Sequence, residues 1–102
     1  MTYIIDFIPR AAADLDAIHE SLSAYSERTA DKTVLLIKDA ILSLSDFPRR
    51  FAVAPESLRA SIEIRHLVVG NYRALYQIIG DKVQVMRIVH AAQDTLKPID
   101  LM

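Results

Sequence analysis

Six residues able to hold or move charge thread an otherwise apolar stretch between positions 65 and 94: Arg65, Tyr72, Arg73, Tyr76, Arg87 and His90. Guanidinium groups beside aromatic rings are what a phosphate-binding surface or a surface for an acidic partner requires. Other chemistries find less support. The chain has no cysteine, which excludes disulfides and thiolate metal ligands. No pair of histidines with an acid shows metal-ligand spacing, so no metal site is expected. Both glycines fall in turns, so there is no phosphate-cradling loop and no cofactor is expected. No serine sits in a nucleophile-elbow context.

The strands that carry these residues set which can meet. Gly70-Asn71 is a two-residue turn signal, pairing Val69 with Tyr72 and Val68 with Arg73. Arg65 then faces Tyr76 and shares a side with Tyr72, while Arg73 points to the opposite side with Leu75. A bulge would change that parity. Arg87 and His90 are three apart on one strand and so point to opposite faces. Convergence of the two arginines does not follow from the sequence. A structural role, each arginine paired to a carboxylate such as Glu63, is at least as well supported as a functional one. A lone histidine ending a strand, like His90, is more often a hydrogen-bonded structural residue than an acid–base. His66 and His19 carry weaker signals, and His19 flanks a helical stripe in a partly exposed position.

The elements around this stretch are legible from periodicity. Residues 2–8 read as a strand stopped by Pro9, which opens a helix. Leu15, Ile18, Leu22 and Tyr25 form the apolar stripe of that helix. Thr29 is the expected cap of a second helix. Its stripe is Ala30, Val34, Ile37, Ile41 and Leu44, and it ends near Phe47-Pro48. Residues 48–61 read as a loop, and residues 62–69, 72–79 and 83–90 as three strands joined by tight turns. The tail, with Pro98, is expected to be short or frayed. A helical hairpin should return the chain to the end of the sheet where the first strand finished. The expected fold is therefore α+β: a wholly antiparallel four-stranded sheet with a helical hairpin on one face, in the order β-α-α-β-β-β. Apolar residues at nearly every position of residues 62–79 imply burial on both faces, so the second face needs another cover.

Length and composition fit this picture. The 102 residues suit a single domain over 1–102, and a hydrophobic share of 52 % suffices for a core. Net charge is −1, but residues 1–48 carry eight acids against four bases and residues 49–102 eight bases against five acids. An acidic partner would dock on the C-terminal half. So small a net charge argues against strong non-specific nucleic-acid binding. The N-terminal MTYIIDFIPR lacks the basic start and long apolar run of a signal peptide, and no stretch approaches a membrane span. A cytoplasmic location and no membrane partner are the expectation.

The string IEIRHLVVGNYRALYQIIGDKVQVMRIVHAAQD resembles the RelE/ParE toxin superfamily of type II toxin–antitoxin systems. Its most specific pieces are Arg65-x-Leu67-x-Val69-Gly70-x-Tyr72-Arg73-x-Leu75-Tyr76 and Val85-x-Arg87-Ile88-x-His90. IIDFIPRAAADLDAIHESL is similar to the family's first strand and helix, and LLIKDAILSLSDFP to its second helix. The resemblance implies a small cytosolic toxin neutralised by a cognate antitoxin, whose flexible segment wraps it. An antitoxin segment or a second protomer would then be the cover for the second sheet face. RelE-type members are metal-independent ribonucleases acting on ribosome-bound mRNA; ParE-type members inhibit DNA gyrase.

Arg73 matches the arginine that contacts the scissile phosphate in the ribonucleases. Arg65 falls where they place a basic strand residue, and His90 matches the histidine ending their last strand. After His90 those enzymes usually carry an arginine and then a tyrosine; here the residues are Ala91-Ala92-Gln93-Asp94-Thr95-Leu96. Cleavage needs a base, an acid and charge on the phosphorane, and this set is incomplete. The chain therefore reads as nearer ParE, a gyrase-binding inhibitor with Tyr72, Tyr76 and Arg87 as partner-binding candidates. The alternative is a RelE-like endoribonuclease using Arg65, Arg73 and His90. A third reading is an antitoxin-binding module without toxicity.

Overall fold

The computed structural model describes residues 2–92 and 96–101. Strand β1 (Ile4–Phe7) passes through extended Ile8 into helix α1 (Pro9–Ser23), with Pro9 in the first turn, where a missing N–H costs nothing. The α1 end is closed by Tyr25 and Ser26 N–H groups donating to the Leu22 carbonyl, both at 3.0 Å. Tyr25 consequently lies beyond the helix and is 90 % exposed, not part of the apolar stripe. Helix α2 (Glu27–Leu42) is capped by Ser26, whose hydroxyl accepts the Thr29 N–H at 3.2 Å. Thr29 is thus the capped residue and not the cap: the short break leaves Ser26 alone in an extended conformation.

Three further strands follow: β2 (Arg65–Val69), β3 (Tyr72–Ile79) and β4 (Lys82–His90). The β2–β3 register pairs Val69 with Tyr72, Val68 with Arg73 and Arg65 with Tyr76, as the Gly70-Asn71 turn requires. Gly70 supplies the positive φ of +57° that the turn needs. A bulge does occur, but between β3 and β4: Leu75 pairs with Arg87 and Tyr76 with Val85, leaving Met86 as the extra residue.

The sheet order is β1-β4-β3-β2, and β1 runs parallel to β4, with Ile4 opposite Lys82 and Phe7 opposite Val85. The sheet is therefore mixed, and the expectation of a wholly antiparallel sheet is corrected. The cause is the reach of the hairpin. α2 has 16 residues to the 15 of α1 and is extended by a 3-10 turn at Ser43–Ser45. Together they overrun the four-residue β1 and bring the Ser45 carbonyl to the Tyr3 N–H at 2.9 Å. The chain is returned to the start of β1 and not to its end, so β2 sets off in the same direction as β1.

The helices cover one face through Ala11, Leu15, Ile37, Ile41 and Leu44, packed on Leu67, Ala74, Tyr76, Val83, Val85 and Ile88. Burying each aliphatic side chain of this kind contributes about 1.5–3 kcal/mol. The chain itself covers the centre of the other face, which limits a second expectation, although Val68 and Ile79 on that face stay about half exposed. Ala54, Ile64, Leu96 and Leu101 close over Leu75, Met86 and Val89. The segment read as a loop holds a 3-10 turn (Pro48–Arg50) and a short helix, α3 (Ser57–Ala60). It folds back along β2: Ala54 N–H donates to the Ile64 carbonyl at 2.7 Å and His66 N–H to the Ala52 carbonyl at 3.1 Å. The Ser57 hydroxyl closes the excursion, donating to the Ile64 carbonyl and accepting the Ile64 N–H. The described residues of the tail, 96–101, are docked and not frayed: a 3-10 turn at Pro98–Leu101 follows Leu96, and Leu96 and Leu101 are buried.

Candidate functional site

Arg73 projects from β3 into the second face and is only 6 % exposed. An arginine there requires a counter-charge, since an unpaired buried charge is prohibitive. Glu56, ahead of α3 and fully buried, supplies it with both oxygens, one at 3.0 Å from Arg73 Nη1 and the other on Nη2. The same carboxylate accepts the Leu96 N–H at 3.0 Å. Burial by itself would raise the Glu56 carboxyl. The hydrogen bonds from Arg73 and Leu96, with the Arg73 charge, hold it below its ordinary value instead. His66 completes the cluster, its Nδ1 accepting from Arg73 Nη1 at 3.4 Å. Burial and then the Arg73 charge push its pKa down, so it stays neutral. Sequence reasoning missed Glu56, the one acid in a segment read as loop. The signal was the conjunction of an arginine on an apolar strand with an acid amid Ala54, Pro55 and Leu58.

Arg65 lies on the opposite, helix-facing side of the sheet. Its Nε donates to Glu63 at 3.0 Å, and Nη1 to the carbonyls of Arg49 at 3.1 Å and Phe51 at 2.6 Å. Tyr76, across the ladder, is fully buried and donates its hydroxyl to the Pro48 carbonyl at 2.6 Å. Burial pushes that phenol up to about 12, against the charges of Arg65 and Arg50. It is therefore neither an exposed contact nor a group that titrates near neutrality.

Arg87 sits where β4 outruns β1. Asp14 of α1 accepts Arg87 Nε at 2.7 Å and Nη2 at 3.2 Å, and the Ile88 N–H at 2.9 Å. It thereby supplies the acceptor that the missing β1 residue would have given. Arg87 Nη1 donates to the Asp100 carbonyl, fastening the tail. His90 is exposed at the strand end, with Nδ1 accepting the Ala92 N–H at 3.2 Å. Its ring stands edge-on to Tyr72, at 5.5 Å between centroids and 70° between planes.

The structure thus brings Tyr72, Arg87 and His90 to one open hollow of about 340 Å³, floored by Asp14, Ile18 and Ile88. It does not bring Arg65, Arg73 and His90 together. Arg73 is on the other face, and Arg65 lies four residues of strand, roughly 13 Å, from the Tyr72–His90 pair. At that hollow the exposed His90 ring lies beside a guanidinium already neutralised by Asp14.

A larger hollow of about 400 Å³ lies between α1 and α2. Phe7, Leu15, Val34 and Leu42 give it an apolar floor, and Asp16, His19 and Lys38 a charged rim. His19 Nε2 meets Asp31 at 2.6 Å. Leu42 on its floor and Leu35 and Leu36 outside it are more than half exposed on α2. No helix of the described residues is long and apolar enough to cross a membrane.

Residues 5–95 match a family described as the ParE toxin of the type II toxin–antitoxin system parDE. The chain is 34 % identical over 84 residues to Toxin RelE2 of Caulobacter vibrioides, covering 82 % of this chain and 90 % of that protein. Its fold resembles a chain of the chromosomal ParDE system from P. aeruginosa, with a TM-score of 0.74 at 24 % identity, covering 87 % of this chain and 96 % of that one. It also resembles a chain of the toxin–antitoxin complex RelBE2 from Mycobacterium tuberculosis, with a TM-score of 0.61 at 23 % identity, covering 91 % and 95 %. A mutant of the E. coli toxin RelE in the free state gives a TM-score of 0.61 at 21 % identity, covering 90 % and 86 %.

Proposed function

The chain belongs to the ParE toxin family of type II toxin–antitoxin systems, and from that premise we propose that it arrests growth by binding DNA gyrase in the cytoplasm, and not by cutting RNA. One observation carries this reading: the arginines that phosphate chemistry would need are already neutralised within the fold. Arg73 is held by buried Glu56, Arg87 by Asp14, and Arg65 by Glu63 and two carbonyls. Drawing Arg73 onto a scissile phosphate would strand a buried carboxylate, at a cost of about 3–5 kcal/mol. An oxyanion-stabilising group is effective because it is preorganised toward the reacting charge, and this one is preorganised toward Glu56.

The ribonuclease alternative draws on the identity to the Caulobacter protein named RelE2 and on the exposed His90–Tyr72 pair. The two readings separate on one variant. His90→Ala should leave growth arrest within about twofold of the unaltered protein if the toxin acts by binding. In a ribonuclease, loss of the acid–base should lower cleavage of ribosome-bound mRNA by about 10²–10⁴-fold. Codon-specific cleavage lost in His90→Ala would establish the alternative.

The cognate antitoxin is proposed to lay an apolar segment along the helical pair. The chain itself covers the centre of the second sheet face, and the groove between α1 and α2 with the exposed leucines of α2 offers a continuous apolar surface for it. Replacing Leu35 and Leu42 together by serine should weaken antitoxin binding at least tenfold by calorimetry, with the melting temperature nearly unchanged. Unchanged affinity would move the antitoxin elsewhere.

A further inference from the structure

Phe47 has a positive φ of +52°, with ψ at +57°, directly before Pro48. A bulky aromatic residue is among those least tolerant of the left-handed region, where glycine and asparagine are the usual occupants. Such strain persists only where neighbours impose it. They do so here: Pro48 is buried, its carbonyl accepts the Tyr76 hydroxyl at 2.6 Å, and the Arg50 N–H donates to the Phe47 carbonyl at 3.1 Å. The result of this enforced turn is a phenyl ring 79 % exposed to solvent. Burial therefore gives no reason for an aromatic side chain at the position, and backbone conformation opposes one.

The surroundings are charged. Arg49 and Arg50 flank the ring, with Tyr3 and Pro48, around an open hollow of about 430 Å³. Both guanidiniums are held in place by neutral acceptors. Arg49 Nη1 donates to the Tyr3 hydroxyl at 3.1 Å; Arg50 donates to the Asp46 carbonyl at 2.6 Å and the Ser43 hydroxyl at 3.2 Å, and stacks on the Phe51 ring at 4.8 Å. Neither takes part in any of the carboxylate ion pairs formed among the described residues. Elsewhere the fold neutralises its strand arginines with acids; at this corner it holds two in position without doing so.

We propose that the Phe47–Arg50 corner is the surface that docks the toxin on its protein target, with Phe47 entering an apolar pocket and Arg49 and Arg50 meeting carboxylates at its rim. Aromatic and arginine side chains dominate the energetics of protein interfaces, and an anchor held in its bound shape loses little entropy on docking. A nucleic-acid strand fits less well. Two uncompensated arginines give few phosphate contacts, and the whole chain carries a net charge of −1. This inference rests on the reading of the toxin as a binding inhibitor, and it is separate from the antitoxin groove between the helices.

The test uses two variants of the full chain, Phe47→Gly and the double variant Arg49→Glu with Arg50→Glu. Each is assayed for growth arrest, for inhibition of purified DNA gyrase, and for binding of the cognate antitoxin. Phe47→Gly removes the ring while relieving the strained φ, so it should melt at the same or a higher temperature. Both variants should inhibit gyrase at least tenfold more weakly and lose growth arrest, with antitoxin affinity unchanged. Full arrest in both variants overturns the proposal, as does parallel loss of antitoxin binding. Binding of a single-stranded RNA oligonucleotide by the unaltered protein, lost in both variants, overturns the protein partner. Arrest lost in the variants when gyrase is untouched by the unaltered protein supports the docking corner and removes only gyrase as the target.

Discussion

Replacing Glu56 with alanine should destabilise the protein by about 3–5 kcal/mol, because Arg73 is left charged in a site where it is 6 % exposed. In a domain of this size each kcal/mol moves the melting temperature by about 4–8 °C, so the loss is plain in a thermal scan. The Leu96 N–H loses its acceptor in the same step, and the docked tail should loosen with it. Glu56→Leu combined with Arg73→Met should recover most of the loss, since an apolar pair of similar volume needs no counter-charge. A double variant as unstable as the single one would show that the cost lies in packing and not in the stranded charge.

The same cluster sets the response to acid. Both His66 and Glu56 have folded pKa values below their ordinary ones, 6.5 and 4.5, so in each case the unfolded chain takes up the proton first. Stability is then fully present above each ordinary value and is lost as pH falls through the folded one. Urea midpoints should decline first below about pH 6.5, from His66, and more steeply below about 4.5, from Glu56. The second decline should be flattened in Glu56→Gln. A midpoint that rises on acidification would contradict the assigned sign.

Ile37→Ala should cost about 2–5 kcal/mol, the range for removing a fully enclosed aliphatic side chain and leaving a cavity. Ile37 is 1 % exposed where α2 meets the sheet, while its neighbour Leu36 is 54 % exposed. Leu36→Ala should therefore stay within about 0.5 kcal/mol of the unaltered protein. The contrast between adjacent positions, read as urea midpoints, tests the helical phase directly. A loss below about 1 kcal/mol at Ile37 would mean that α2 presents another face.

What could be read in the sequence was whatever short range decides. The two-residue turn at Gly70-Asn71 set the β2–β3 pairing, and so placed Arg65 opposite Tyr76 and Arg73 on the far face. Of the stripe at Ala30, Val34, Ile37, Ile41 and Leu44, all are buried as the spacing requires except half-buried Val34, with Leu44 carried by the 3-10 turn after α2. Contacts closed over long distances were not legible. Whether β1 meets β4 parallel depends on how far α2 overruns α1, a matter of a few residues that periodicity does not register. Tyr25 has the right spacing for the α1 stripe, but the helix stops short of it. Nothing local to Pro98 says that Leu96 and Leu101 will close the second face. The candidate residues were found, but their partners were not: Glu56 lies 17 positions from Arg73 and Asp14 lies 73 from Arg87. Those partners turn exposed-looking cations into structural ones.

The proposed action of this toxin is to bind gyrase with no cleavage step. It is tested most directly by titrating the purified toxin into DNA gyrase relaxing and supercoiling a plasmid, beside ribosomes translating a defined mRNA. Supercoiling should be lost at toxin concentrations where the mRNA stays full-length, with activity restored by the cognate antitoxin. Unimpaired supercoiling together with codon-specific cuts in the mRNA would contradict it.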